Sequence, residues 1–342
     1  MSSLYVHCPF CEKKCFYCSF VVAVGRDSKI DSYLECLDKE ARHYGHPLVE
    51  TVYLGGGTPS HLNERQLAHL KKIIEKNFDV DAANEFTLEA NPEGLSLEKA
   101  RFIKSLGINR VSLGIQTLQD GYLKYLGRNH DSRSARAAFE NLRRAGFANI
   151  NIDLMYSFPG QTHAEIEKDV QTVTSLDSEH LSLYTLTIEE KTRFHAGNVK
   201  LDANDVLASH YELVCRLVEQ SGLRQYEVSN FSKAGYESRH NMNYWQGGDY
   251  IGLGVGAHAH FQGTRRWNVS DLSDYMTRMN AGRSPQEGQE TLSGQERFME
   301  TVLFGLRMNQ GIALKAAGKD FKYFFDDERK EKIRQYMQKG WL

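Results

Sequence analysis

The sequence predicts an α/β protein: an incomplete (β/α)6-type TIM barrel followed by a smaller, mainly helical C-terminal domain. Three observations carry this. Short β-rich runs alternate with helix-period segments up to about residue 230. Polar residues fall at the carboxyl ends of those runs, where a (β/α) barrel gathers its chemistry. Beyond residue 230 the alternation gives way to a Gly- and aromatic-rich stretch and then helices.

Residues 4–6, 51–54, 85–89, 110–115, 149–155, 180–186 and 225–229 read as strands. Helical segments fill the gaps. Asn63 with Gln66 and Thr162 with Glu165 have capping-box spacing. Gly107, Gly146 and Gly222 follow apolar-periodic stretches, where a left-handed residue ends a helix. One βα unit per roughly 30 residues implies parallel strands joined by crossover helices. Glu89 closes FTLEANP, Gln116 closes VSLGIQ, Asp153 interrupts NINIDLMY, and glycines follow VYL, which favours a barrel over a doubly wound sheet. Six or seven units leave that barrel open. Later helices are expected at about 271–280 and 294–306, the second opened by a Ser293/Glu296 capping box. The expected division is therefore 1–230 and 231–342. The chain stops at MQKGWL straight after a helical run, as though a following hairpin were missing.

With 342 residues, 41% of them hydrophobic, and only 28 Gly and 6 Pro, the chain can bury a large core, so disordered and collagen-like classes fall away. Lys and Arg at 42 against Asp and Glu at 44 give a net charge of −2, which offers no broad basic face to nucleic acid or an anionic membrane. MSSLYVHCPF lacks the basic and apolar regions of a signal peptide, and no eighteen apolar residues run uninterrupted. A cytoplasmic location is the expectation. There the six cysteines stay reduced, and the crowding of Cys8, Cys11, Cys15 and Cys18 points to metal or redox chemistry. Cys36 and Cys215 lie in helical patterns and read as core residues.

Cys11, Cys15 and Cys18 have the spacing C-x3-C-x2-C on a loop after the first strand. Three thiolates leave one iron of a [4Fe-4S] cluster open to a ligand. With Cys8 the run becomes C-x2-C-x3-C-x2-C, which could close a cluster or hold zinc, although zinc pairs usually stand a dozen or more residues apart.

The stretch YVHCPFCEKKCFYCSF resembles the cluster loop of radical S-adenosylmethionine (SAM) proteins, in the branch of the oxygen-independent coproporphyrinogen III oxidases and their heme-chaperone relatives. LGGGTPS, LEANP, RVSLGIQ, LGRNH, NIDLMYSFPGQT, YEVSNF, RHNMNYW and GLGVGAHA follow in the family's order, so the resemblance runs nearly end to end. Two positions depart from it. Phe20 stands where the oxidases carry a further Cys, which favours the chaperone side, and Cys8 replaces a usual aliphatic residue.

The resemblance implies a barrel of the radical SAM type with a [4Fe-4S] cluster on Cys11, Cys15 and Cys18, plus SAM and heme as cofactors. For SAM it implies Tyr5 beside the adenine and Gly56, Gly57 and Thr58 at the methionyl end. Glu89 would take the amino group, Arg128 the carboxylate, and Gln116 with Asp153 the ribose, with Thr187 and Ala257 giving backbone contacts. An Arg pairs bidentately with a carboxylate and an ionised acid accepts from an ammonium or hydroxyl, so these partners are chemically sensible. The bland alternatives are helix-capping roles for Glu89 and Asp153 and a surface ion pair for Arg128. His240, Asn241, Tyr244 and Trp245 are the heme candidates, the histidine as a possible iron ligand and the aromatics as stacking surface. The Cys8 thiolate is a further heme candidate, His7 is expected near the cluster, and His258 and His260 to pack under the barrel mouth. The implied function is delivery of heme to an accepting protein, with no nucleic-acid partner; contact with a membrane-bound recipient would be peripheral. The alternatives are decarboxylation of coproporphyrinogen III, other radical chemistry on a porphyrin, or a zinc-stabilised barrel. No catalytic residue is assigned.

Overall fold

Along the strand-like runs apolar residues alternate with polar ones, and the two sets face opposite ways. In a computed structural model, which describes residues 2–80 and 83–340, Leu4, Val6, Val52, Leu54, Leu88, Val111, Leu113, Ile150 and Ile152 pack into one core with the surrounding helices. Arg110, Ser112, Gly114 and Gln116, the alternate residues of one strand, face a cavity inside the sheet.

The units run β1 (Ser2–Cys8), α1 (Ile30–Ala41), β2 (Thr51–Gly56), α2 (Glu64–Asn77), β3 (Glu85–Ala90), α3 (Leu97–Ser105), β4 (Arg110–Gln116), α4 (Asp120–Leu126), α5 (Ser132–Arg144), β5 (Ile150–Tyr156), α6 (His163–Thr174) and β6 (His180–Thr185). The six strands are parallel and lie side by side in chain order. Capping boxes open α2 at Asn63 and α6 at Thr162. Gly107, Gly146 and Gly222 take φ values of 81°, 89° and 91°, the left-handed turn expected after a helix.

The run at 225–229 forms a strand in the same sense as the first six, but it does not lie directly beside β6 as a seventh unit would. After α7 (Arg193–Ala196) and α8 (Asn204–Gln220) the chain forms the antiparallel pair β7 (Arg224–Glu227) and β8 (Asn230–Ser232), and β8 lies antiparallel to β6. The two residues between β7 and β8 are too few for a crossover, and the Glu227 carboxylate holds the turn by accepting from the Ser229 amide at 3.1 Å. RHNMNYW forms the short helix α9 (Arg239–Trp245), with Ser238 capping its N-terminus.

β9 (Asp249–Leu253) then returns to pair in parallel with β1 on its free side. The hairpins of β10 (His258–Phe261), β11 (Thr264–Asn268) and β12 (Gln286–Thr291) extend the sheet antiparallel. The strand order is β12-β11-β10-β9-β1-β2-β3-β4-β5-β6-β8-β7. It ends at β12 and β7 without joining them, so the barrel is incomplete. α10 (Leu272–Asn280), α11 (Gly294–Gly305), α12 (Leu314–Phe321) and α13 (Asp327–Gln338) supply the helical remainder, and the Ser293 box opens α11. Cys36 is fully buried and Cys215 packs partly buried against the same core. Among the described residues no helix is long and apolar enough to cross a membrane.

Candidate functional site

The cysteine loop leaves β1 and is clamped at its base. Phe10 and Cys11 pair with Ala23 and Val24, and the Ala23 amide donates to Pro9 O at 2.7 Å. Phe16 and Tyr17 drop into a separate apolar cluster with Leu126, Phe158 and Phe194. Gly127 makes this possible: at φ 75° it ends α4, and a Cβ there would stand 2.7 Å from the Phe16 ring. Gly57 has a similar reason, since a Cβ would reach 2.6 Å from the Pro9 carbonyl. Its amide donates to Cys8 O at 2.8 Å, and the Gly56 amide to Glu89 Oε2 at 3.0 Å. The glycines after β2 thus bring the loop against the strand.

Cys11, Cys15 and Cys18 open onto a cavity of about 650 Å³ together with Thr58, Glu89 and Arg128. The Cys11 sulfur is 3.3 Å from Thr58 Oγ1, and Arg128 Nη1 donates to Cys15 Sγ at 3.5 Å. Cys8 is 1% exposed and lies in the apolar core, where burial pushes its thiol up to about 12. It does not line the cavity with the other three.

Around that cavity stand side chains from successive strand ends. Glu89 accepts from the Tyr53 hydroxyl at 2.8 Å as well as from Gly56. Burial, and then the Asp153 charge, push its carboxyl up to about 7. Asp153 accepts from Asn151 at 2.8 Å and from Ser112 at 3.3 Å, and burial raises its carboxyl too. Arg128 Nη2 donates to Asn91 Oδ1 and Gly114 O, both at 2.7 Å, while its buried Nε has no partner among the described residues. Gln116 holds φ 68° where the β4–β5 register shifts, an irregularity that re-aims a side chain. The helix-capping alternatives fall, because Ser96 caps α3 and Thr162 caps α6. Gly56, Gly57, Gln116, Asp153 and Thr187 line the same cavity. Asn91 and Ser112 belong there as well; their spacing of two from Glu89 and Gly114 was the available signal.

A second cavity of about 1100 Å³ lies beside the first, lined by Tyr5, His240, Tyr244, Trp245, Tyr250 and Trp267 among others. Tyr5 lines this cavity and not the first, beside Gly56 and Glu89, which line both, and its ring stacks 6.2 Å from the Tyr53 ring. Ala257 lines neither cavity; its amide donates to Gly254 O and its carbonyl accepts from Asn268. His240 is 1% exposed, and burial, then the Arg110 charge, push its pKa down to about 3. Its Nδ1 is 2.9 Å from Thr51 Oγ1 and its Nε2 2.8 Å from the Tyr244 hydroxyl. His7 is held in the same way, between Tyr5 and the Val21 carbonyl. Phe20, Tyr53, Glu89, Tyr184 and Asn241, with the small residues Ser19 and Gly56, line both cavities and form the partition.

Residues 5–173 match the radical SAM superfamily. The whole chain is 37% identical over 351 aligned positions to the heme chaperone HemW of Bacillus subtilis, covering 100% of this chain and 93% of that one. The chain belongs to the HemW family of radical SAM proteins. The HemW of Lactococcus lactis is 35% identical over 100% of this chain and 90% of its own. The radical SAM enzyme coproporphyrinogen III oxidase (HemN) of Escherichia coli superposes with a TM-score of 0.85 over 98% of this chain and 82% of that one, at 24% identity, a likeness of fold. Radical SAM proteins use a [4Fe-4S] cluster and SAM, and the donor set fits both: three thiols on one cavity, a guanidinium with an unused N–H, and two half-buried carboxyls. Phe20, the position at which the sequence departs from the expected oxidase pattern, is 61% exposed in the partition and presents a bare aromatic ring there.

Proposed function

We propose that this protein is a heme chaperone: it binds heme beside a [4Fe-4S] cluster and SAM, and passes the heme to an accepting protein. The observation that carries this is the second cavity, about 1100 Å³ in volume, walled by tyrosines and tryptophans, and divided from the cysteine cavity by a shared partition. Cys11, Cys15 and Cys18 hold the cluster. Arg128 takes the SAM carboxylate, Glu89 its ammonium, and Gln116 with Asp153 its hydroxyl groups. Gly56, Gly57, Thr58 and Thr187 complete the wall. When bound and reduced, the cluster with SAM supplies the radical chemistry of the superfamily; the protein contributes position and exclusion of water. Asn241, Tyr244 and Trp245 face the heme, with Arg307 over the Trp245 ring at 4.4 Å steadying the indole. Residues 1–230 form the SAM half, and 231–342 close most of the second cavity. We place this work in the cytosol, where closely spaced thiols stay reduced.

Anaerobic reconstitution followed by heme titration tests the reading. Heme is expected to bind stoichiometrically and to move onto an apo-heme protein added afterwards. Incubated with reductant, SAM and coproporphyrinogen III, the protein is expected to yield no protoporphyrinogen; catalytic accumulation of that product would make it an oxidase instead.

A further inference from the structure

Four histidines line the second cavity: His7, His240, His258 and His260. An imidazole binds iron through an unprotonated nitrogen, so the question is which of them has a lone pair to give. For His240 the hydrogen-bond chain answers it. Thr51 spends its hydroxyl proton on Ser3 Oγ at 2.7 Å, so it accepts from His240 Nδ1–H, and the Nε2 lone pair is left accepting from Tyr244. His7 donates from Nε2 to the Val21 carbonyl, which leaves Nδ1 accepting from Tyr5. His260 turns its Nδ1 to the Asp249 carboxylate at 3.7 Å.

Among the described residues, His258 differs from His7 and His240 in having no hydrogen bond at its ring, and from His260 in having no carboxylate beside it. Among the described residues neither of its ring nitrogens has a hydrogen-bond partner, and the residue is exposed on the cavity wall. Its mounting is rigid. The His258 carbonyl presses so closely on β9 that a Cβ on Gly252 would stand 1.9 Å from it. Its ring lies nearly parallel to Trp267, 24° apart with centroids at 6.2 Å. The Trp267 indole in turn lies flat over Gly288, where a Cβ would come within 2.3 Å. Desolvation and then the Arg265 charge keep the His258 pKa below the ordinary histidine value, so the ring is neutral. On the same wall Arg297 makes no ion pair among the described residues, a cation open to a carboxylate.

We infer that His258, and not His240, donates the axial nitrogen to heme iron, with Trp267 as the flat wall beside it and Arg297 facing a propionate. The inference rests on the heme-binding reading above. His240 then serves as a positioning residue that holds Tyr244 against the cavity.

The test is ferric heme titrated into the cluster-loaded protein and into His258→Ala, His240→Ala and His260→Ala, read by the Soret band and by low-temperature EPR. In His258→Ala the Soret band is expected to move, affinity to fall at least tenfold, and added imidazole to restore the wild-type spectrum. His240→Ala and His260→Ala are expected to keep the wild-type iron signature even where retention weakens. Response of the reduced-cluster EPR signal to SAM certifies folding in each variant, and His258→Gln replaces the alanine variant if that response is lost. A wild-type spectrum and affinity in the His258 variants overturns the inference, and so does loss of the wild-type iron signature in His240→Ala alone. If wild-type protein shows no heme-dependent change at all, the chaperone reading itself fails and takes this one with it.

Discussion

Cys8 and Cys11 lie three residues apart in sequence, yet one thiol is sealed in the core and the other opens onto a cavity. Serine substitution is expected to separate them. Cys11→Ser, Cys15→Ser and Cys18→Ser should each lose the cluster, whereas Cys8→Ser should keep a full complement of iron and sulfide while losing about 1–3 kcal/mol of stability to a buried hydroxyl. Loss of the cluster in Cys8→Ser would mean a closed four-thiolate site. Glu89 gives a pH signature. Its folded pKa, at about 7, stands above the ordinary carboxyl value. The stability contributed by its neutral form is complete below pH about 4.3 and is lost as pH rises through 7. In cluster-free protein, Glu89→Gln should therefore gain stability relative to wild type between pH 5 and pH 8, by up to about 3 kcal/mol in urea unfolding. A constant difference across that range would show that Glu89 is already ionised. Arg128→Ala should weaken SAM binding by about 1.5–3 kcal/mol, ten- to a hundredfold by calorimetry, if the guanidinium takes the SAM carboxylate.

At the scale of elements, α9 owes its position to a carboxylate from a distant strand. Glu85 on β3 accepts from the Arg239 and His240 amides at 2.9 and 3.1 Å and from the Ser238 hydroxyl at 3.3 Å. These are N-terminal donors with no partner inside the helix. Glu85→Ala is expected to cost about 2–4 kcal/mol and to reduce heme retention while the cluster spectrum stays. Nothing in the sequence announces that pairing, because residues 85 and 239 are linked only by tertiary packing. What the sequence did show was periodic. The six parallel strands, the capping boxes at Asn63, Thr162 and Ser293 and the polar residues at strand ends all follow from local rules of spacing and hydrogen bonding. The strand β8 that slips between β6 and β7 leaves no such trace, because three residues of β-formers carry no mark of which strand they will lie beside. The placements of Tyr5 and Ala257 were similarly invisible, since period-2 alternation says which face a residue takes but not which of two adjoining cavities it meets.

For the whole molecule, the division expected near residue 230 would not cut the sheet at a seam. β9 covers the free edge of β1 through five parallel register pairs, from Ser2 opposite Asp249 to Val6 opposite Leu253. A fragment ending at residue 230 would expose that edge on the strand that launches the cysteine loop, and unpaired edges invite association. Such a fragment is expected to aggregate and to retain little iron on reconstitution, measured against the full chain by gel filtration and iron content; a monomeric fragment with a full cluster would show the first six units to be self-sufficient.

The partition of Phe20, Tyr53, Glu89, Tyr184 and Asn241 has one more consequence. A ligand on one side that shifts any of these side chains changes the free energy of occupancy on the other, and such coupling is reciprocal. Whatever factor SAM imposes on the dissociation constant of heme, heme must impose on that of SAM, so two titrations done in opposite order have to close a thermodynamic cycle. A factor different from one would make the cofactor pocket a sensor of cargo, and the aromatic wall between them the element through which loading is felt.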